Sequence, residues 1–216
     1  IRLWVPALAL TAAWAALYLL VVDQKRWSGD LAMTWDLLRR SVTHGIVPGL
    51  ADSKLLTAAA RERCYDQIVR RALAWSVVVI PHDECDRLGM SDAQRLAARR
   101  ALDGLGVEPD RVLVDGRWDF VGGGRTRMLV KGDATCLSIA AASILAKVTR
   151  DRIMRAGADS YPGFDFDRNK GYPCPRHKLA LKGYGPTAIH RRTWAFMDGT
   201  PWGTRRPGPD DAPTLF

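Results

Sequence analysis

Helical and strand-like patterns of apolar residues alternate along the middle of the chain. Thr57 suits the N-cap of a helix predicted over residues 58–73, and Ser91 suits that of a second helix ending near Leu102. Short runs rich in Val, Ile and Leu are typical of buried strands. They predict strands at 75–80, 111–116 and 126–130. This alternation indicates an α/β domain whose sheet is covered on both faces.

The most regular helical pattern runs from Ser138 to Met154. It is rich in Ala, which favours helix formation and allows close packing on a sheet. Ser143 and Lys147 are four residues apart, so they share one face of this helix. The following part, up to Phe196, is basic with interleaved aromatic residues.

Residues 3–22 form a stretch of the chain without a charge. Twenty apolar residues are long enough to span a bilayer, and Ala13-Trp14-Ala15 resembles a weak signal-peptide cleavage site. The alternative is a buried strand at 17–22 that runs into Asp23 and lies beside the strand ending at Asp115. The sequence leaves both alternatives open.

The chain is strongly basic. It has 32 Lys and Arg against 23 Asp and Glu, a formal net charge of +9 and a pI near 9.8. Such a charge favours a polyanionic partner, either nucleic acid or an acidic membrane surface. The four cysteines show neither a C-x-x-C pair nor the His spacing of a zinc site, which indicates reduced thiols in a cytoplasmic protein.

Two acidic residues follow consecutive predicted strands. Asp115 ends the second predicted strand before a glycine, and Asp133 follows the third in a similar manner. Carboxylates at neighbouring strand ends repel unless a cation holds them, and oxygen ligands favour Mg²⁺ or Mn²⁺ over zinc. A hard cation in a basic protein suggests phosphodiester hydrolysis.

Several ordered motifs resemble a known family of nucleases. The segments that carry the resemblance are 49–55, 112–116, 131–134, 138–154, 161–164, 169–172, His177, 185–186 and 190–191. Together they resemble bacterial type 2 ribonuclease H, or ribonuclease HII, from about residue 49 to residue 197.

The resemblance implies an α/β fold: a ribonuclease H-like mixed sheet flanked by helices, with a C-terminal helical substrate-binding extension. It implies an endonuclease that uses Mg²⁺ or Mn²⁺ to cut the RNA strand of RNA/DNA hybrids and to nick at ribonucleotides embedded in duplex DNA. We expect a cytoplasmic monomer. Four carboxylates hold the metals in this family, and the two later ones correspond to Asp115 and Asp133.

The resemblance also implies residues that contact the substrate. Tyr172 corresponds to the tyrosine that stacks near the deoxyribose after the ribonucleotide. Lys54, Ser143 and Lys147 fall in motifs that shape the site or face the nucleic-acid backbone.

One expected motif is missing. The family opens with Asp-Glu-x-Gly-Arg-Gly, which this chain lacks. Asp23 stands at the right distance to supply the first catalytic and metal-binding carboxylate, but Gln24 cannot replace an anionic glutamate. The activity is therefore expected to be impaired, and the alternative is a catalytically dead nucleic-acid-binding relative. A membrane anchor at 3–22 on a nuclease domain is a third alternative.

These observations predict three parts of the chain. Residues 1–48 form an atypical N-terminal segment, which supplies either the first strands of the sheet or an apolar anchor. Residues 49–197 form the ribonuclease HII-like domain. Residues 198–216, rich in Gly and Pro, form a flexible tail.

Overall fold

The computed structural model describes residues 19–20, 47, 49–194 and 197. Its helices are α1 (Ala58–Arg71), α2 (His82–Leu88), α3 (Met90–Asp103), α4 (Gly132–Thr135), α5 (Leu137–Ala156), α6 (Phe166–Asn169) and α7 (Pro175–Tyr184). Its strands are β1 (Leu19–Leu20), β2 (Trp75–Ser76), β3 (Val112–Asp115) and β4 (Thr126–Leu129). A 3₁₀ turn, Ala158–Ser160, follows α5.

The three helices that the sequence pattern predicted, α1, α3 and α5, have the expected bounds to within two residues. Thr57 caps α1, because its Oγ1 accepts a hydrogen bond from the backbone N–H of Ala60 at 3.2 Å. The second cap was predicted wrongly, since α3 begins at Met90 and Ser91 lies inside its first turn. The cause is Gly89, whose φ of 78° ends α2 and allows the chain to turn directly into α3.

Strands β3 and β4 lie side by side and are parallel. Val112 lies opposite Thr126 and Asp115 lies opposite Leu129. Val112 and Val114 are buried, whereas Asp115 is exposed at the strand end. The register therefore leaves the carboxylate at the edge of the sheet.

The predicted buried strand at 75–80 is mostly wrong. Within the described part of the chain, pairing is confined to Trp75 and Ser76, which lie antiparallel to the two-residue strand β1. Trp75 and Val79 are 38% and 46% exposed, so this run is not a buried one. The pairing of β1 with β2 also differs from the expectation that the N-terminal strand lies beside the strand ending at Asp115.

The chain forms two compact units that interleave along the sequence. Within the described residues, the first unit comprises 19–20, 47, 49–79 and 94–150, and we call it the sheet unit. The second comprises 80–93, 151–194 and 197, and we call it the helical unit. The predicted boundaries at residues 48 and 197 stay predictions.

The sheet unit has two apolar clusters. One surrounds β3, where Val112 and Val114 pack with Ala98, Ala101 and Leu105. The other joins α1 to α5 and contains Val47, Cys64, Ile68, Ala141, Ile144, Leu145 and Val148. Burial of each large aliphatic side chain contributes roughly 1.5–3 kcal/mol to stability. The first cluster therefore holds β3 in place, and the second holds α5 against α1.

The helical unit has an aromatic core. Phe164 and Phe166 stack with ring centroids 5.4 Å apart, and Met154, Leu181 and Ile189 complete the cluster with Ala180 and Met197. In the same unit, the Asp86 carboxylate accepts hydrogen bonds from the backbone N–H groups of Arg192 and Thr193. This contact ties the end of the described chain to α2.

Two further expectations concern compartment and anchoring. The four cysteines are free thiols. Burial raises the pKa of the Cys64 thiol and raises that of Cys85 to about 11. Within the described residues, no helix is long and apolar enough to cross a membrane, and most of the stretch 3–22 lies outside them.

Candidate active site

Asp115 is fixed by the chain that follows β4. Its Oδ1 accepts a hydrogen bond from the backbone N–H of Gly132 at 2.8 Å. Lys131, just before, has a left-handed φ of 57°, which turns the chain into α4. A side chain at Gly132 would meet Ile139 Cδ1 at 2.5 Å, so any larger residue here would require the end of the Ile139 side chain to move. The carboxylate is therefore held at the strand end by backbone geometry.

Asp133 does not directly follow a strand in the way that the sequence predicted. Strand β4 ends at Leu129, and Asp133 lies four residues later in the short helix α4. Its Oδ2 accepts a hydrogen bond from Lys54 Nζ at 2.8 Å. The Asp133 side chain is 11% exposed, against 76% for Lys54. The pair thus joins a mostly buried carboxylate to an ammonium on a largely exposed side chain.

The Lys54 ammonium lies in the field of several carboxylates. Its hydrogen bond to Asp133 is the largest cause that raises the pKa of Lys54, and partial burial opposes it. The charges of Asp133, Asp52 and Asp115 raise it further. Asp115 also lies near Asp133 along the chain's own contacts, since its carboxylate binds the backbone N–H of Gly132, the residue just before Asp133.

The segment that carries Lys54 is held from three sides. Asp52 Oδ1 accepts a hydrogen bond from the backbone N–H of Lys54 at 2.9 Å. The Ser53 and Ser143 hydroxyls are hydrogen-bonded at 2.8 Å, and both residues are buried. Arg61 Nη1 donates to the carbonyl oxygen of Ser53 at 2.9 Å. Ser143 thus contacts the Lys54 segment, and its burial favours a structural role over direct contact with a substrate.

Lys147 lies on α5 one turn after Ser143, as the spacing predicted. The residue is half-buried, whereas Ser143 is 9% exposed. The shared face of α5 therefore carries a buried hydroxyl and, further along, a partly accessible ammonium.

The donor set fits a hard divalent cation. Asp133, which contacts Lys54, and Asp115, which binds the Gly132 N–H, both offer carboxylate oxygens, and Mg²⁺ and Mn²⁺ prefer oxygen ligands. Within the described residues, the Lys54 ammonium supplies the positive charge that contacts Asp133. Among these same residues, no group of three or more His, Cys, Asp or Glu side chains is arranged to hold a metal. Asp23 and Gln24 lie outside the described residues.

Tyr172 belongs to the helical unit and is held through its backbone. Its N–H donates to the carbonyl oxygen of Asn169 at 2.9 Å, and its own carbonyl oxygen accepts from His177 Nδ1 at 2.8 Å. The Asn169 side chain donates to the Phe164 carbonyl oxygen and accepts from the Gly171 N–H. The loop that presents Tyr172 is therefore well supported, and the residue is half-buried.

His177 and His190 form a buried structural pair. They are 1% and 5% exposed, and their Nε2 atoms lie 2.9 Å apart. His177 Nδ1 donates to a carbonyl oxygen, so its neutral ring accepts at Nε2 and His190 donates there. Burial lowers the pKa of His177. Burial, together with the charge of His177, lowers that of His190 to about 3. This geometry favours a role in packing over a role in proton transfer.

Sequence reasoning did not assign roles to three residues of the site. Gly132 binds Asp115, Arg61 holds the Ser53 carbonyl, and Asp52 caps the Lys54 backbone. The Asp-x-Lys spacing is a local turn signal that could have identified Asp52. Nothing in the sequence pattern marks the contact of Arg61, because it depends on where α1 lies.

Known proteins resemble most of the described chain. The family model for ribonuclease HII matches residues 47–197. A ribonuclease HII of Nocardioides sp. (strain ATCC BAA-499 / JS614) is 57% identical over 148 residues, which cover 68% of this chain and 61% of that protein. A ribonuclease HII of Streptomyces griseus is 46% identical over 158 residues, covering 71% of this chain and 66% of that protein.

A solved structure agrees with these matches. The ribonuclease H2 from Pyrococcus horikoshii OT3 superposes with a TM-score of 0.57 at 26% identity, covering 83% of this chain and 90% of the other. The chain spans 61% and 66% of the length of the two sequence relatives. The family-model match, the sequence relatives and the solved structure all lead to the same family, and the chain belongs to the ribonuclease HII family.

Proposed function

We propose that this protein is a hydrolase of the endoribonuclease class that cuts the RNA strand of RNA/DNA hybrids and nicks at ribonucleotides embedded in duplex DNA. The observation that carries the proposal is geometric: Asp115 accepts a hydrogen bond from the Gly132 N–H, and the next residue, Asp133, accepts one from Lys54, inside the segment that matches the family. The net charge of +9 supports a polyanionic substrate.

Asp115 and Asp133 are the proposed catalytic residues and ligands for Mg²⁺ or Mn²⁺, and Asp23 is the proposed third. A bound divalent cation would activate water and stabilise negative charge on the phosphate. The Gly132 N–H holds one oxygen of Asp115, which limits that carboxylate to the orientation seen here.

The chain's own cations are proposed to hold the substrate. Lys54 is exposed and has its backbone fixed by Asp52, so its ammonium is positioned to contact a phosphate. Ser143 acts on Lys54 through Ser53 and is therefore proposed as a positioning residue. Lys147 is proposed to contact the nucleic-acid backbone, and the Tyr172 ring to stack against a sugar.

The proposed setting is the cytoplasm, where free thiols persist. The protein is proposed to act as a monomer on nucleic acid.

A cleavage assay tests the proposal. The substrates are a labelled DNA duplex with one ribonucleotide and an RNA/DNA hybrid, each with Mg²⁺, with Mn²⁺ and with EDTA. We expect metal-dependent nicking by the parent chain and loss of nicking in Asp115→Asn. Asp110→Asn is the matched control, because Asp110 is also exposed and precedes β3.

The outcomes separate catalysis from binding. Metal-dependent product from the parent and from Asp110→Asn, but not from Asp115→Asn, supports the proposed function. Tight binding of both duplexes without product would overturn the catalytic claim and identify a nucleic-acid-binding relative. Absence of binding as well as product would overturn the proposal entirely.

A further inference from the structure

An exposed tryptophan lies beside an arginine close to the candidate site in sequence. Trp118 is 39% exposed. The guanidinium carbon of Arg95, on α3, lies 5.3 Å from the centre of its ring. Phe120 supports the indole, with ring centroids 5.6 Å apart and an interplanar angle of 55°. Large aromatic residues are usually buried more fully than this, so this exposure needs a reason.

The loop under Trp118 is ordered by its own hydrogen bonds. Asp119 Oδ1 accepts from the backbone N–H groups of Gly122 at 2.8 Å and Val121 at 3.0 Å. These bonds, chiefly that of Gly122, lower the pKa of Asp119 although slight burial opposes them. The Asp119 carboxylate is thus hydrogen-bonded within the turn, and the turn orders the backbone next to Trp118.

The position of Trp118 relates it to the candidate active site. It lies three residues after Asp115, so their Cα atoms are at most about 11 Å apart. One strand of a duplex advances about 3.4 Å along the helix axis per nucleotide. The largest possible distance between the two Cα atoms therefore corresponds to about three nucleotides. A duplex bound at Asp115 would therefore reach the surface around Trp118.

The chemistry of the pair suits a nucleic-acid backbone. A guanidinium that stacks on a ring presents its N–H donors at its edge, where phosphate oxygens bind. Bases in an intact duplex are stacked on one another, so an indole meets the sugar rather than a base face. Exposed arginines nearby in sequence, Arg111 and Arg117, add positive charge.

We propose that Trp118 and Arg95 form a contact for the sugar-phosphate backbone of a bound duplex, within about three nucleotides of the cleaved phosphate. The indole packs on a sugar and the guanidinium binds a phosphate. This inference rests on the proposed function, since it names a further part of the substrate-binding surface.

Binding measurements on the full chain test the contact. Fluorescence anisotropy with a labelled duplex containing one ribonucleotide is measured in an Asp115→Asn background, which prevents cleavage. We expect Trp118→Ala to bind about tenfold more weakly and Trp118→Phe to keep most of the affinity. Trp75→Ala is the matched control, because Trp75 is 38% exposed and packs edge-on against Tyr65.

Arg95→Gln tests the phosphate half without changing the indole. Gln preserves helix propensity at this exposed position on α3. We expect the slope of log affinity against log salt to become shallower by about 0.9, the value for one phosphate contact. A series of duplexes, each with one neutral methylphosphonate, locates that phosphate. At one position within about three nucleotides of the cleaved bond, the methylphosphonate should weaken binding by the parent chain and should leave the affinity of Arg95→Gln unchanged.

The results distinguish this inference from the proposed function. Should the parent nick the duplex while Trp118→Ala binds as tightly as Trp75→Ala, the contact is wrong and the nuclease proposal stands. The contact is also wrong, and the nuclease proposal still stands, if every methylphosphonate weakens binding by Arg95→Gln as much as it weakens binding by the parent. Should the parent neither bind nor nick the duplex, both proposals fail.

Discussion

At the scale of single residues, Gly132 shows how backbone geometry fixes a catalytic candidate. Its N–H binds Asp115 Oδ1, and an added Cβ would meet Ile139 Cδ1 at 2.5 Å and Leu129 Cβ at 3.3 Å. The packing of α5 and the position of the carboxylate therefore both depend on the missing side chain.

We expect Gly132→Ala to lower the free energy of unfolding by about 1–3 kcal/mol, because the new methyl group forces its neighbours apart. Urea unfolding measures the change. Gly183→Ala is the control, since no atom lies within 4 Å of its new Cβ on α7 and alanine favours helix there by up to about 1 kcal/mol. Equal stability of Gly132→Ala and the parent would show that the contact relaxes freely.

Lys54 is the other residue whose effect is open to measurement. Its ammonium neutralises Asp133, so a divalent cation at these carboxylates would compete with it. We expect Lys54→Met to bind Mn²⁺ about twofold to fivefold more tightly, the range that corresponds to an exposed ion pair of roughly 0.4–1 kcal/mol.

The Mn²⁺ dependence of the thermal unfolding midpoint gives the affinity, because a ligand of the folded state raises it. Lys54→Arg keeps the charge and serves as the control. A weaker Mn²⁺ response in Lys54→Met than in the parent would contradict competition and indicate that Lys54 supports the site.

The sequence predicted some of these residues and not others, for a physical reason. Asp115 was predictable because a short continuous run of apolar residues, 112–114, ends at it. Lys54 and Ser143 entered through motif resemblance. Gly132 and Arg61 were missed because their contacts join parts of the chain that only the folded structure brings together.

At the scale of elements, regular helices were easier to predict than short strands. Helices α1 and α5 carry long periodic patterns and satisfy their own backbone hydrogen bonds. A strand requires a partner, and the run at 75–80 meets only the two residues of β1 within the described chain. Apolar composition alone could not reveal the length of that partner.

The buried histidine pair gives a pH dependence to the packing of α7. In the folded chain the pKa of His190 is lowered from 6.5 to about 3, chiefly by burial, and its neighbours His177, Arg192 and His82 lower it further. Between these two values the unfolded chain binds more protons than the folded one. The stabilisation is therefore fully present above pH 6.5 and is lost as the pH falls toward 3.

We expect the free energy of unfolding to decrease as the pH is lowered from 7 to 4, and His190→Asn to make this decrease shallower. Chemical unfolding at a series of pH values measures both slopes. If the two chains showed the same slope, proton uptake by His190 would not explain the loss of stability.

At the scale of the whole molecule, the net positive charge favours association with a polyanion such as nucleic acid. The chain carries +9, and the cations discussed above, Lys54 and Arg95, are proposed to meet phosphates. Family membership and the α/β class were accessible from sequence, because ordered motifs run through residues 49–197. The division into two interleaved units was not, since it depends on contacts between distant segments.

We expect the affinity for a duplex to fall steeply with salt, with a log–log slope of about −0.9 for each phosphate contacted. Titrations between 50 and 200 mM salt give the slope, and Lys54→Met and Arg95→Gln together should reduce its magnitude by about 2. Binding that is insensitive to salt would rule out an interface built on phosphates.

The histidine pair also links two loops of the helical unit by hydrogen bonds that all run in one direction. The Thr187 N–H donates to His190 Nδ1, His190 donates to His177, and His177 donates to the Tyr172 carbonyl oxygen. Each imidazole passes on the polarity it receives, so reversing one bond would require both rings to exchange their protons. Because a backbone N–H can only donate and a carbonyl oxygen can only accept, the two ends of this series fix the proton position on both rings, and the loop that presents Tyr172 is joined to the Thr187 loop through a single arrangement of protons.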